Sequence, residues 1–114
     1  MHIDVITTLP SMFTGPLNES IIKRAQDRNI VQIKIHDLRQ WTTDKHRSTD
    51  DHPYGGGPGM VMMIEPIDVA LKAMGAKKGT PKQKIVLTSA KGALFTHQIA
   101  QTWSKELDRM TSLF

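Results

Sequence analysis

Residues 18–36 read NESIIKRAQDRNIVQIKIH, and two hydrophobic periods meet inside them. Up to Asn29 the apolar residues Ile21, Ile22 and Ala25 make one helical face, while Lys23, Arg24 and Arg28 point elsewhere. Asn18 or Ser20 can cap that helix and Asn29 can end it. From Val31 the period falls to two: Val31, Ile33 and Ile35 share one side, and Gln32, Lys34 and His36 the other. Upstream, MHIDVITTL sets Met1, Ile3 and Val5 against His2 and Asp4 and reads as a strand with one buried face. Strand, helix and strand in this order are the start of an α/β arrangement.

The pattern continues on either side. A short helical turn over Ser11 to Phe13 follows Pro10 and is broken by Gly15 and Pro16. Farther on, EPIDVALKAM places Ile67, Ala70, Leu71 and Met74 at i, i+3, i+4 and i+7, with Pro66 suited to the first turn. A short apolar strand from Ile85 to Leu87 leads into a small-residue turn. A helix capped by Thr96 then carries Ile99, Ala100, Trp103 and Leu107 along one stripe. The prediction is an α/β fold with a mainly parallel sheet, flanking helices and right-handed crossovers. Residues 109–114, RMTSLF, begin another strand, which predicts an unfinished sheet edge and a domain, 1–114, that is cut short.

Composition narrows the function classes. A chain of 114 residues fits one domain. It has no cysteine, which excludes disulfide scaffolds, thiolate metal sites and thiol nucleophiles. The N-terminus shows no basic segment followed by an apolar one, and no run of about 18 apolar residues occurs, so a cytoplasmic location is expected. A net charge of +4 and a pI near 9.6 favour an anionic partner, nucleic acid being the commonest.

Between the second strand and the EPIDVALKAM helix lies a polar connection of roughly twenty-five residues, long enough to be a functional loop. Its end, DDHPYGGGPGMVMM (50–63), packs four glycines and two prolines into the seven residues from Pro53 to Gly59. The glycines permit positive φ and close approach of a ligand, while the prolines stiffen the loop. It is neither familiar phosphate cradle: Met60 and Met62 stand where a dinucleotide fingerprint needs its last glycine, and no G-K-[ST] follows. His46 and His52 lack a third ligand in a recognisable register, so no metal site is assigned. Asp50 and Asp51 could offer a carboxylate for acid/base work or simply cap a turn. Met60, Met62 and Met63 read as core-filling residues. Tyr54 and Trp41 could stack on bases, with Arg39, Lys45, His46 and Arg47 facing phosphates; the alternative is a pair of half-buried aromatics with a solvated basic rim.

HRSTDDHPYGGGPGMVM, together with LPSMF after the first strand and LTSAKG after the third, resembles the TrmD family of bacterial tRNA (guanine-N1)-methyltransferases, of the SPOUT class. The resemblance covers the whole chain. Leu9, His52, Ala90 and Lys91 depart mildly from the family pattern. It implies methyl transfer from S-adenosylmethionine to N1 of guanosine 37 in tRNA, by a homodimer with sites between subunits. It further implies that Leu87, Thr88, Ser89, Ala90 and Gly92 line the first cofactor loop. Asp50, Pro53, Tyr54, Gly55, Gly56, Gly57, Pro58 and Gly59 would lie beside the target guanosine. The family's other cofactor loops, its trefoil knot, its general base and its C-terminal tRNA-binding domain follow the strand at which these residues end. No catalytic residue is therefore assigned within the chain, and MTSLF departs from the expected continuation, as in a truncated or frameshifted product. A non-catalytic RNA-binding remnant of the same fold is the alternative expectation.

Overall fold

The computed structural model describes residues 1–114. Strand β1 (His2–Thr7) leads through a 3₁₀ turn (Pro10–Phe13) into α1 (Thr14–Leu17), α2 (Ser20–Asp27) and β2 (Gln32–Asp37). A second 3₁₀ turn (Leu38–Trp41) precedes a small hairpin, β3 (Asp50–Asp51) and β4 (Val61–Met62). Then come α3 (Ile64–Ala73), β5 (Gln83–Leu87), α4 (His97–Glu106) and β6 (Arg109–Leu113). The main sheet has four strands in the order β2-β1-β6-β5, and every neighbouring pair is parallel. The expected α/β fold with a parallel sheet and flanking helices is what forms.

The last strand does not sit where its place in the chain suggests. Instead of an unfinished edge, β6 is inserted between β1 and β5, pairing Met110 with Ile3 on one side and with Lys84 on the other. Thr111, Ser112 and Leu113 are buried as a result, and β2 and β5 are the edges. Strand β1 also departs from expectation. It was expected to bury one face, yet Asp4, Val5, Ile6 and Thr7 are all buried, so both faces are covered over its second half.

Helices cover the sheet unequally. Ile67, Ala70 and Leu71 of α3 and its C-cap Met74, the residues picked out by their helical spacing, pack with Ile6, Leu38, Leu113 and Ile85. That core occupies the carboxyl half of one sheet face. On the opposite face, Ile33 and Ile35 border a cleft shared with Phe13, Leu17 and Gln26. Lys84 lies on that face too, with its Nζ 4.5 Å from the Trp103 ring of α4. Thr96 caps α4 as expected, accepting from the Ile99 amide at 3.3 Å. The cap of α2 differs from expectation: its N-cap is Glu19 and makes no side-chain cap bond, and Ser20 has φ +53. Asn18 instead donates its amide to the Thr14 carbonyl. Ile21, expected on the apolar face, is exposed, because α2 is short and turns only Ile22 and Ala25 inward. No helix is long and apolar enough to cross a membrane.

Candidate functional site

Parallel pairing brings the carboxyl ends of all four strands, at Thr7, Asp37, Leu87 and Leu113, to one edge, where α/β sheets present their ligand-binding loops. The loops after β1 and β2 are tied together there. The Asp37 carboxylate accepts from the Arg39 amide at 3.0 Å, and the Arg39 guanidinium donates to the Thr8 carbonyl. Arg39 is therefore partly committed to structure, with its side chain 40% exposed and its other N–H groups without a hydrogen-bond partner. Trp41 is no stacking platform: it is half-buried against the core and its ring lies 5.9 Å from His36. Of the expected basic rim, Lys45, His46 and Arg47 are exposed at a tight turn. Asp44 holds that turn by accepting from the Ser48 amide and hydroxyl, and these hydrogen bonds keep its carboxyl below the usual range.

The glycine-rich stretch closes the β3–β4 hairpin, in which Asp50 faces Met62 and Asp51 faces Val61. Gly55, Gly56, Gly57 and Gly59 have φ of +86°, +78°, +126° and +94°, so each occupies backbone space that other residues enter only with strain. A methyl group added at any of them would meet no atom within 4 Å, which leaves the surface formed by these residues open. Pro53 accepts from the Gly56 amide at 3.1 Å, stiffening the first turn. Tyr54 is fully exposed. Met60, Val61 and Met62 are exposed as well, so the expected assignment of Met60 and Met62 to the core is wrong: a two-residue strand in a hairpin standing off the main sheet has nothing to bury against.

The second loop leaves β5 at Leu87, whose side chain is largely uncovered. Thr88 is anchored to the end of β6, its amide and hydroxyl both donating to the Leu113 carbonyl at 3.2 and 2.8 Å. The Ser89 carbonyl accepts from the Gly92 amide, and the Ser89 hydroxyl from the Lys91 amide. A side chain at 92 would come within 3.1 Å of the Ser89 carbonyl oxygen, so a larger residue there would crowd the turn. The amides of Ser89 and Ala90 have no partner. An uncovered leucine beside free amides offers an apolar face and polar edge contacts, a combination that fits the flat face and hydrogen-bonding edge of a heterocyclic ligand. No hydrogen bond joins this turn to the glycine hairpin.

One polar cluster was not foreseen from the residues. Asp4, buried in β1, accepts at Oδ1 from His36 Nε2 at 2.8 Å, and at Oδ2 from Arg109 Nε at 2.9 Å, with Arg109 Nη2 also 2.9 Å away. Burial alone would raise the Asp4 carboxyl, but the hydrogen bonds and charges of His36 and Arg109 outweigh it and hold the carboxyl below its ordinary value. The partners are 32 and 105 residues away in sequence, and no local pattern signals such a pairing.

Comparison with known proteins bears on this edge. The sequence model of tRNA (guanine-1)-methyltransferase TrmD matches residues 1–111. A tRNA (guanine-N(1)-)-methyltransferase of Geobacter sp. (strain M21) is 48% identical over 106 residues, covering 93% of this chain and 42% of that protein. Proteins of the same name from Chloroflexus aurantiacus and Thermomicrobium roseum are each 52% identical; 89% of this chain is covered in both cases, with 40% and 37% of the respective relatives. The chain thus spans about two-fifths of the length of the curated relatives it matches.

Proposed function

The chain belongs to the tRNA (guanine-1)-methyltransferase TrmD family, and from that premise we propose that its carboxyl edge is the part of a SPOUT-class methyltransferase site that receives guanosine 37 of tRNA and one side of the cofactor. The observation that carries the reading is the family match over residues 1–111, taken with the open hairpin whose four glycines all have positive φ. S-adenosylmethionine, when bound, supplies an electrophilic methyl group. Leu87 and the turn from Thr88 to Gly92 would hold its nucleoside, using the free amides of Ser89 and Ala90. The 50–59 loop would lie against the purine, whose edge can approach the backbone because no side chain projects from the glycines. Taking the base out of its stack costs a few kcal/mol, which a loop stiffened by Pro53 and Pro58 helps to offset.

The proposed assembly is a homodimer in the cytoplasm. It is supported by Met60, Val61, Met62 and Ile64, an exposed apolar stretch running from the hairpin into the start of α3 that a second copy could cover. Residues 1–114 act in this reading as one portion of a SPOUT domain, with the general base for the guanine N1 proton supplied from the remaining length of the relatives. The 114 residues alone are expected to incorporate no methyl group into unmodified tRNA. Residues 1–111 joined to the remainder of the Geobacter sp. relative should methylate N1 of guanosine 37, and Gly57→Val in that protein should abolish the activity. An inactive but folded chimera, or full activity with valine at 57, would overturn the proposal. A second reading, a non-catalytic RNA-binding module, is favoured by the exposed Lys45, His46 and Arg47 turn. It requires tRNA affinity that falls steeply with salt and no binding of S-adenosylmethionine, measured by titration at two ionic strengths.

A further inference from the structure

The face of the sheet that carries α3 is covered only over its carboxyl half. Toward the amino ends of the strands it stays open, forming a cavity of about 280 Å³ bordered by His2, Asp4, Gln32, Lys34 and Arg109. His2 pairs in register with Gln32 on one side and Arg109 on the other, so the cavity lies across β2, β1 and β6 at the end of the sheet opposite the candidate site. Its charges are unequally used. The one carboxylate, Asp4, has both oxygens engaged, Oδ1 by His36 and Oδ2 by Arg109. Arg109 spends Nε and Nη2 on that carboxylate and leaves Nη1 unpartnered. Lys34, exposed on the edge strand, has no ion pair or hydrogen bond.

We infer that this cavity is an anion site that takes a phosphate group, either from an RNA backbone or as free phosphate. Lys34, the cation without a partner, and Arg109, with Nη1 still free, stand on strands that flank β1 and two residues out of register, roughly 12 Å apart at the backbone, and both side chains are long. A tetrahedral phosphate presents oxygens toward both strands at once, whereas a planar carboxylate presents two in one direction. Asp4 and Arg109 together are close to neutral, so the net attraction for an anion comes from Lys34, while Asp4 fixes the guanidinium and leaves Nη1 free to donate. Gln32 and His2 add further hydrogen-bonding groups at the rim. The inference does not depend on methyl transfer, so it can stand or fall separately from the proposed function.

The test is an NMR titration of the chain at constant ionic strength, first with inorganic phosphate and then with a short single-stranded RNA oligonucleotide. Saturable shifts of the Arg109 Nε–H and the Gln32 side-chain amide are expected, with affinity about tenfold weaker in Lys34→Gln, the loss of one charge-assisted contact. Lys105→Gln, on α4, should leave the affinity unchanged. Lys34 is exposed, so its variant keeps the fold even if substitutions at Arg109 do not. A response to the oligonucleotide that excess phosphate displaces supports the site with an RNA backbone as its source; a response to phosphate alone supports it with the free anion. No saturable shift with either probe, or equal affinity in Lys34→Gln and the unaltered chain, would overturn the inference.

Discussion

Asp4 shows how much one side chain can depend on distant partners. Its carboxylate is only 5% exposed and binds strands on both sides, so its removal strips His36 and Arg109 of their acceptor at once. Asp4→Ala should destabilise the chain by about 2–3 kcal/mol in urea denaturation, less than for a fully buried pair because Arg109 is about one-third exposed. The pH dependence has a definite sign. A carboxyl held below its unfolded value of 3.8 contributes stability above that pH and loses the contribution as pH falls through the lower folded value. Denaturation midpoints should therefore drop more steeply below about pH 4 in the unaltered chain than in Asp4→Asn; parallel acid limbs would contradict this. From the residues, Asp4 reads as the solvent side of an alternating strand. That reading fails because alternation reports which face a residue occupies and not whether that face is covered.

At the scale of elements, helices were the more legible. The spacing of Ile67, Ala70, Leu71 and Met74 identifies the buried side of α3, and Thr96 caps α4 as its residue type suggests. Thr96→Ala should cost about 1 kcal/mol by leaving the Ile99 amide without its acceptor. Hydrogen exchange in the first turn of α4 should speed up accordingly, and unchanged exchange would show the cap to be idle. Strand β6 offers the opposite kind of test. Its Thr111 is fully buried and its hydroxyl has no hydrogen-bond partner. Thr111→Val keeps the shape and removes the unpaired oxygen, so stability should rise by about 1 kcal/mol; a loss would mean the hydroxyl has a partner. The glycine hairpin was legible in its backbone and not in its side chains. Four closely spaced glycines announce positive φ, but whether the adjoining methionines are buried depends on what stands next to the hairpin.

For the molecule as a whole, Met60, Val61, Met62 and Ile64 form an exposed apolar stretch, and the proposed dimer would use it. Val61→Lys should then weaken self-association in sedimentation experiments while leaving thermal stability nearly unchanged, since Val61 has little to lose within its own chain. Equal association in both proteins would point the dimer elsewhere. Local periodicity sufficed to assign most elements and the α/β class, and the loop residues sufficed for the family, because φ preferences and apolar spacing act within a few residues. Strand order, the burial of both faces of β1, the exposure of the methionines and the Asp4 cluster required the packed chain. The reason is that a strand's own sequence specifies how its side chains alternate, whereas its neighbours are selected by contacts between segments as much as 105 residues apart, such as Arg109 with Asp4.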